Sequence, residues 1–166
     1  MADVKLFDSD VFSSLKRDAE LSPRRRANYN VHEHYDDVVQ RLFIAMMPDS
    51  YVRPHRHTQA HNWEFFMVLE GSIDILFFDD DGCLTKRVTL QAGGECCGLQ
   101  IPPLTWHATV CDAPVIFMEV KQGPYDANED KGFADWAPQE GSREVTQFLG
   151  KLKHAKIGTS FFPIKG

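Results

Sequence analysis

A pair of histidines is the first feature of this chain whose residue types and spacing could do chemistry. His55 and His57 are separated by one residue in the segment RPHRH. Because alternate side chains of an extended strand share a face, both imidazoles can point into one interior while Arg56 points outward. Two imidazoles presented in this way form half of a metal-chelating site.

Residues elsewhere in the chain could complete that site. Glu64 opens the apolar run EFFMVLEG, which we expect to pair with the histidine strand, and His107 follows the proline-rich segment IPPLTW. His61 lies closer to the histidine pair and is an alternative to Glu64. Three imidazoles and a carboxylate suit Fe, Mn, Ni or Zn rather than calcium or an iron–sulfur cluster. The sequence therefore predicts one divalent transition metal as cofactor, held by His55, His57, Glu64 and His107.

Charged residues near these segments could contact a substrate that binds at the metal. Arg41 and Arg53 lie in or beside predicted strands, where an inward guanidinium needs an anionic partner such as a substrate or Glu119. We therefore predict Arg53, Arg41 and Glu119 as substrate-binding residues. The run Arg24–Arg26 has two interpretations: a solvated basic patch, or a grip on an anionic ligand at the mouth of the site, since arginine binds carboxylate and phosphate in a bidentate manner.

The elements that must position these residues are short strands. From Val38 to Phe148 the chain alternates apolar runs such as VVQRLFIAMM, SIDILFF and APVIFMEV with turn-forming residues. Along SIDILFF, Ile73, Ile75 and Phe77 recur with the period of two that a half-buried strand requires. Six or more short strands without intervening helical patterns predict an antiparallel barrel or a two-sheet sandwich.

The segments that flank the strands have a different pattern. In residues 7–21 the apolar side chains recur at helical spacing, with Asp8 or Ser9 able to cap the start, so we predict a short N-terminal helix ending at Ser22-Pro23. The polar stretch that follows is predicted to be a wrapping arm. Its His32 and His34 are interpreted as arm histidines rather than metal ligands.

The predicted organisation is a single domain in three parts. Residues 1–37 form the helix and arm, 38–125 the barrel, and 126–166 an irregular loop and tail that packs on the barrel. Within the last part, Ser142–Leu152 has the pattern of a short helix.

Composition agrees with one globular domain and excludes several function classes. The 166 residues are 43% hydrophobic and 25% charged, and the net charge of −6 disfavours nucleic acid and anionic membranes as partners. No apolar run has membrane-spanning length and no targeting pattern opens the chain, so a cytoplasmic location is expected. The four cysteines lack zinc-type spacing and are predicted to be reduced, mostly buried thiols.

The two histidine segments resemble the cupin superfamily. Its first motif is HxH, a glutamate, and a glycine after six further residues, and its second is PxGxxH. The matching residues here are His55, His57, Glu64 and Gly71 for the first motif, and Pro102 and His107 for the second. This chain departs from the pattern in its longer interval between His57 and Glu64, and in Leu104, which stands where the second motif has glycine.

The resemblance extends beyond the motifs to a particular group of cupins. SPRRRANYNVH, WEFFMVLEGSI, GLQIPPLTWHA and MEVKQGPYDAN look like segments of the WbuC family of cupin-fold metalloproteins, over roughly residues 10–140. The resemblance implies an all-β fold, the cupin double-stranded β-helix or jelly-roll barrel. It also implies an association with surface-polysaccharide (O-antigen) biosynthesis, for which the family has no settled reaction.

These observations lead to more than one functional hypothesis. The first is a small metalloenzyme, an isomerase, epimerase or oxygenase, acting on a sugar, sugar nucleotide or related hydroxylated metabolite. The alternatives are a non-catalytic module that binds carbohydrate or metal, and an Fe(II) dioxygenase acting on a small organic substrate. A homodimer is expected because exposed sheet edges and the N-terminal arm can pair across a two-fold axis.

Overall fold

Residues 4–126 and 131–162 are described by the computed structural model of the chain. Within those ranges the chain forms two helices and ten strands. The helices are α1 (Ser9–Leu21) and α2 (Val145–His154). The strands are β1 (Arg26–Asn30), β2 (Val39–Met46), β3 (His55–His57), β4 (Glu64–Glu70), β5 (Ser72–Phe78), β6 (Leu84–Gln91), β7 (Gly98–Ile101), β8 (Trp106–Val110), β9 (Val115–Gln122) and β10 (Lys131–Phe133).

The strands form two five-stranded sheets whose inner faces pack against each other. The first sheet has the order β1-β2-β9-β4-β7 and the second the order β10-β3-β8-β5-β6. Every pairing in both sheets is antiparallel. The predicted all-β, two-sheet architecture is confirmed.

An apolar core fills one part of the space between the sheets. Met46, Phe66 and Phe117 of the first sheet meet Ile73 and Ile75 of the second. Each such side chain contributes about 1.5–3 kcal/mol when it is fully removed from water. The alternation along β5 correctly predicted the inward-facing residues of that strand.

The outer face of the first sheet is covered by α1. The Asp8 side chain accepts hydrogen bonds from the first turn of the helix and caps it, as predicted. Leu15 and Ala19 then pack on Phe43 and Ala45, which point away from the interior. The helix ends at Leu21, directly before Ser22-Pro23, because proline disfavours helical backbone at the residue before it.

The C-terminal segment covers the outer face of the second sheet. Trp136 and the buried residues of α2, Leu149 and Leu152, pack on Leu76 and Phe78 of β5. Both faces of β5 are therefore buried. The predicted helix exists, but it begins at Val145 and ends at His154. Within the described residues, neither helix has the length and apolar character needed to cross a bilayer.

Two strands lie in segments that the sequence analysis assigned to an arm and to a loop. β1 pairs residue for residue with β2, and β10 pairs with β3, so the barrel extends beyond residues 38–125 on both sides. Both strands are polar and lie at sheet edges, where the apolar alternation of a core strand is not required. Residues 163–166 of the predicted tail lie outside the described residues.

The four cysteines are free, but only Cys111 is buried, Cys83 is half-buried, and the other two are exposed. Cys111 lies in the interior, where burial raises the pKa of its thiol to about 12. Cys96 and Cys97 are exposed, in contrast to the prediction, because they occupy the loop between β6 and β7 rather than a strand.

Candidate metal centre

Four buried side chains converge at one end of the space between the sheets. The second sheet supplies His55 and His57 from β3 and His107 from β8, and the first sheet supplies Glu64 at the start of β4. One ligand atom from each lies within 4.8 Å of the others. All four side chains are almost completely buried, with exposed fractions of 1–4%. The structure thus brings together the four residues that the sequence proposed as ligands. The expected pairing of the Glu64 strand with the histidine strand is wrong, because β4 pairs with β7 and β9 and faces β3 from the opposite sheet.

Strand pairing explains why the three imidazoles meet. His55 lies directly opposite His107 in the antiparallel pairing of β3 and β8, and their ring centroids are 4.4 Å apart. Residues opposite each other in such a pair project to the same face, and His57 shares that face because one residue separates it from His55. The three imidazoles therefore meet for two reasons. The spacing of His55 and His57 places both on one face of β3, and the pairing of β3 with β8 places His107 beside them.

Backbone carbonyls orient two of the rings. His55 Nδ1 lies 2.9 Å from the carbonyl oxygen of Arg53, and His107 Nδ1 lies 2.9 Å from that of Thr105. A carbonyl oxygen can only accept, so both Nδ1 atoms carry the proton and donate. In the neutral rings this leaves the Nε2 lone pairs of His55 and His107 available as metal ligands.

The carboxylate of Glu64 lies between two of the rings. Its Oε1 is 2.8 Å from His57 Nε2 and its Oε2 is 3.0 Å from His107 Nε2. In the neutral ring protonated at Nδ1, two lone pairs face each other across the second contact, whereas in the charged ring Nε2 carries a proton. No group in the described part of the chain donates a well-formed hydrogen bond to Glu64 Oε2. A cation between these atoms relieves that arrangement.

The donor set fits one divalent transition metal. Imidazole nitrogen and carboxylate oxygen bind such ions at about 2.0–2.2 Å, so two ligands on opposite sides of an ion lie about 4.2 Å apart. The observed limit of 4.8 Å between ligand atoms requires only a small contraction to reach that spacing. The residues present are therefore compatible with the metal that the sequence analysis expected.

The electrostatics of the cluster favour the protonation states that metal binding requires. Burial raises the pKa of Glu64, but the adjacent His107 and His57 rings outweigh burial and hold that pKa well below its usual range. Burial, together with the charges of Lys131 and His107, lowers the pKa of His55 well below 6.5. An ionised glutamate and a neutral histidine are the forms that bind metal.

A cavity opens directly onto the cluster. Its volume is about 310 Å³, and His55, Glu64 and His107 form part of its lining. This volume lies at the lower end of the range for small-molecule sites, about 300–1,000 Å³. Apolar side chains line the part nearest the core: Ile44, Met46, Val52, Phe66 and Phe117. A small ligand could therefore reach an ion held by the cluster.

Two lysines lie beside the cluster, one from each sheet. Lys121 on β9 is the register partner of Glu64 on β4, and Lys131 on β10 is the register partner of His57 on β3. Lys121 Nζ lies 3.5 Å from Glu119 Oε1, and all three of these charged side chains line the cavity. Two ammonium groups and a carboxylate therefore lie next to the cluster.

The predicted substrate-binding residues occupy different places. Glu119 lines the cavity. The Arg53 guanidinium donates to the Ala134 carbonyl oxygen at 2.8 Å and lies over the Phe133 ring, and Arg53 is absent from the described cavity lining. Arg41 is exposed on the opposite face of β2, since its neighbours in the strand face inward. These positions correct the expectation that both guanidinium groups face the ligand.

The alternative ligand His61 is exposed and lies outside the cluster. It occupies the turn between β3 and β4, and that turn accounts for the long interval between His57 and Glu64. Glu64, at the first position of β4, is the residue that reaches the histidines.

The run Arg24–Arg26 divides between the two predicted roles, because two of its side chains face the cavity and one faces the surface. Arg24 and Arg26 line the cavity, and both donate to the carboxylate of Glu140, at 2.7 Å and 3.0 Å respectively. Arg25 points away and pairs with Asp49 at 2.9 Å. The two cavity arginines therefore bind a carboxylate of the chain itself, which ties the C-terminal segment to the cavity.

Sequence reasoning missed several cavity residues. Lys121 had a signal, because it alternates with Phe117 and Glu119 along VIFMEVKQ and so faces the same side of β9. Lys131 had none, since its strand is three residues long in a polar segment. His32, interpreted as an arm histidine, is 7% exposed and lines the cavity.

Gly71 and Leu104 stand at the two positions where the cupin motifs have glycine, and both have the left-handed backbone conformation that glycine favours. Gly71 has φ +76°, and a Cβ there would lie 2.8 Å from the Pro114 carbonyl oxygen, so glycine is required. Leu104 has φ 61° although it is not a glycine, and its N–H donates to the His57 carbonyl oxygen at 3.2 Å. The left-handed turn before His107 is therefore preserved despite the substitution in the motif.

Comparison with known proteins identifies the class to which this fold belongs. An uncharacterized conserved protein with a double-stranded β-helix domain from Klebsiella pneumoniae matches 80% of this chain and 99% of its own, with 18% identity and a TM-score of 0.54. An L-ribose isomerase from Cellulomonas parahominis matches 66% of this chain and 70% of its own, with 13% identity and a TM-score of 0.53. A cupin-2 domain protein from Shewanella frigidimarina matches 58% of this chain and 80% of its own, with 24% identity and a TM-score of 0.45. The first two of these matches show that the chain has the double-stranded β-helix, or cupin, fold.

The family follows from the sequence match. Residues 7–90 match the family described as Domain of unknown function (DUF6016), and the chain belongs to that family. No curated protein matches the chain in sequence.

Proposed function

We propose that this protein is a metal-binding cupin that acts as a small metalloenzyme on a hydroxylated metabolite. His55, His57, Glu64 and His107 would hold one divalent Fe, Mn, Ni or Zn ion. The observation that carries the proposal is the position of these four buried residues next to a cavity of about 310 Å³. A purely structural site does not require an adjoining cavity, whereas a catalytic site requires access for a substrate.

The chemistry follows from the groups that surround the cluster. When bound, a divalent ion supplies Lewis-acid polarisation of a ligand oxygen. Glu119 is a carboxylate on the cavity wall and can accept a proton from the ligand, and the Lys121 ammonium group lies 3.5 Å from it. Movement of a proton next to a polarised oxygen is the requirement of an isomerase or epimerase. We favour this class over an oxygenase because the cavity wall carries both groups.

The size of the cavity limits the substrate. A volume at the lower end of the range for small-molecule sites suits a monosaccharide or a similar metabolite better than a sugar nucleotide. Polar side chains along the wall supply hydrogen bonds for several hydroxyl groups: Asn28, Asn30, Tyr35 and Tyr125. We therefore propose a single sugar or a compound of similar size.

The cellular setting is proposed from the resemblance to the WbuC family. That resemblance covers most of the chain, including both histidine segments, and supports a role in surface-polysaccharide (O-antigen) biosynthesis in the cytoplasm. A homodimer is proposed because β1, β6, β7 and β10 lie at sheet edges. A monomeric mass in solution at micromolar concentration would contradict the dimer.

The decisive experiment is metal analysis combined with a count of the open positions on the ion. Protein purified without chelator or affinity-tag histidines is expected to contain one transition metal per chain. X-ray absorption spectroscopy is expected to show three nitrogen ligands, a carboxylate and at least one exchangeable water. An ion closed by four protein ligands would favour the non-catalytic binding module, and protein that takes up no metal on supplementation would refute the proposal.

A further inference from the structure

Tyr35 is the exposed aromatic residue of the described cavity lining. It is 61% exposed, whereas Tyr125 is half-buried and Phe66 and Phe117 are buried. Exposure alone needs no functional explanation, because much of any protein surface is apolar. Tyr35 differs from an ordinary surface residue because it borders the cavity and because its backbone is held on two sides.

A buried glutamine of β2 holds the backbone of Tyr35 on the first side. Gln40 is 1% exposed. Its Nε2 lies 3.3, 3.1 and 2.7 Å from the carbonyl oxygens of His34, Tyr35 and Asp37. Carbonyl oxygens can only accept, so the nitrogen of the side-chain amide must face them. The segment between β1 and β2 is therefore folded around the Gln40 side chain.

The loop after β9 holds Tyr35 on the second side. The Tyr125 N–H donates to the Tyr35 carbonyl oxygen at 2.8 Å, and the Gly123 N–H donates to the Val38 carbonyl oxygen at 2.9 Å. The two tyrosine rings are adjacent, with centroids 5.6 Å apart and planes inclined at 47°. A group that is already fixed in place loses little freedom when a ligand covers it, so more of the contact energy contributes to binding.

Polar groups of β1 lie on the same cavity. Asn28 and Asn30 are exposed and line it, and Asn28 Nδ2 donates to Asn30 Oδ1 at 2.7 Å. Each amide has two N–H donors and an oxygen that can accept twice, so this single bond leaves capacity for ligand hydroxyl groups. The wall therefore combines an aromatic ring with amide groups.

A pyranose ring is complementary to that combination. Its C–H groups project from the two faces of the ring, and its hydroxyl groups project mainly from the edge. The face of an aromatic ring carries partial negative charge and attracts C–H groups. An open-chain sugar alcohol has the same hydroxyl chemistry but no rigid face. The cavity wall should therefore favour the cyclic sugar.

We propose that Tyr35 is a stacking surface for a pyranose ring at the opening of the cavity, and that Gln40 positions it. Tyr35 contacts the ligand, and Gln40 acts through Tyr35. This inference rests on the proposed function, because it names the form of the sugar that the same cavity recognises.

The test measures ligand binding to the full-length, metal-loaded protein by NMR titration. The probes are glucose, galactose and mannose, each compared with its own sugar alcohol: sorbitol, galactitol and mannitol. At least one pyranose is expected to bind about threefold or more tightly than its alcohol, since an aromatic contact is worth about three- to tenfold in affinity. The C–H protons of the bound sugar are expected to shift upfield, as protons over an aromatic face do.

Substitutions of Tyr35 connect that preference to the ring. Tyr35→Leu removes the ring and keeps an apolar side chain, and is expected to weaken binding of the preferred pyranose about three- to tenfold. Binding of the sugar alcohol and the metal content should stay unchanged. Tyr35→Phe retains the ring and is expected to bind the pyranose as the original protein does.

A double-mutant cycle tests the positioning role of Gln40. Gln40→Met keeps the length of the side chain but removes its N–H donors, and is expected to weaken pyranose binding when Tyr35 is present. In the Tyr35→Leu background the same change should have no further effect, because the two residues act as one unit. A purely structural role would lower binding equally in both backgrounds.

Matched controls are available elsewhere on the fold. Tyr29→Leu changes a tyrosine of β1 that is 44% exposed, and Gln100→Met changes an exposed glutamine of β7. Neither residue lines the described cavity, and both variants are expected to bind the pyranose as the original protein does. Thermal unfolding of every variant checks that the fold is retained.

Several outcomes would overturn the stacking surface. They are no binding of any pyranose at millimolar concentration, affinities for each pyranose and its alcohol within about twofold of each other, and a loss in the controls equal to that in Tyr35→Leu. A loss in Tyr35→Phe equal to that in Tyr35→Leu would show a hydrogen bond from the hydroxyl group instead of stacking. Equal losses from Gln40→Met in both backgrounds would overturn its positioning role.

The metal content separates these outcomes from the proposed function. Normal metal content in protein without a Tyr35-dependent preference would overturn the stacking surface and leave the metal site standing. Pyranose binding that depends on Tyr35 in protein unable to take up metal would support the stacking surface and overturn the proposed metalloenzyme.

Discussion

The two ends of the space between the sheets are built from the same strands but differ in chemistry. Along the inner face of β9, Val115 and Phe117 belong to the apolar core, whereas Glu119 and Lys121 line the cavity wall. β4 has the reverse order along the chain, because Glu64 reaches the histidines and Phe66 and Val68 enter the core. Antiparallel pairing places these polar residues at the same end.

This contrast shows how one scaffold separates stability from chemistry. The apolar end buries side chains that have no polar atoms, and the burial of each one stabilises the folded state. The polar end buries a carboxylate, imidazoles and an ammonium group, each of which is costly to bury without a partner. The core therefore supports a site that would not form independently.

The strongest expected effect on stability is at the apolar end. Ile75→Ala removes a side chain that is completely buried between the sheets, and is expected to lower the free energy of unfolding by about 2–5 kcal/mol through lost burial and a residual cavity. Urea denaturation measures this change. Ile157→Ala, at a residue that is 68% exposed, serves as the control and is expected to change stability by less than about 0.5 kcal/mol. An equal effect at both positions would remove the distinction between core and surface.

The corresponding change at the polar end should affect metal affinity. His107→Ala removes one of the four proposed ligands and is expected to weaken metal binding at least 100-fold, because loss of a mere supporting partner of a ligand already costs about 10–100-fold. Competition with a chromogenic chelator measures the affinity. His61→Ala removes an exposed histidine near the site and should retain the metal. Stoichiometric metal in His107→Ala would contradict the proposed ligand set.

A smaller effect is expected from pH in the metal-free protein. The pKa of His55 is held well below 6.5 in the folded state. As pH falls below 6.5, this histidine therefore binds a proton in the unfolded chain but not in the folded one. The free energy of unfolding is unaffected by this group above pH 6.5. It decreases on acidification, by up to about 1.4 kcal/mol per pH unit for one proton. Thermal unfolding across this range measures the slope, and His55→Gln should reduce it. A slope that is the same in His55→Gln would assign it to other groups.

The smallest expected effect concerns the turn before His107. Leu104→Gly relieves a left-handed backbone conformation but increases the freedom of the unfolded chain, so the net change in unfolding free energy is expected to be below about 1 kcal/mol. Chemical denaturation measures it. Gly71→Ala introduces a Cβ 2.8 Å from a backbone oxygen and is expected to be clearly more destabilising. If Leu104→Gly were more destabilising than Gly71→Ala, the turn before His107 would depend on the Leu104 side chain.

Much of the centre could be predicted from local sequence pattern. The single-residue spacing of His55 and His57 places both on one face of a strand, and the apolar run after Glu64 identifies β4. The alternation along β9 is also sufficient to place Lys121 on the inner face of that strand. The chain positions of β1 and β10 could not be predicted, because edge strands of polar residues have no periodic apolar signal.

The sequence by itself determined which residues could bind a metal and which strands would carry them, since side-chain chemistry and the period of two are local properties of the chain. Only the tertiary structure decided that His32 and Lys131 border the same cavity as His107, and that Arg41 and Arg53 do not. Those positions depend on strand register and on the pairing of edge strands distant in the chain. Both are set by packing of the whole molecule rather than by neighbouring residues.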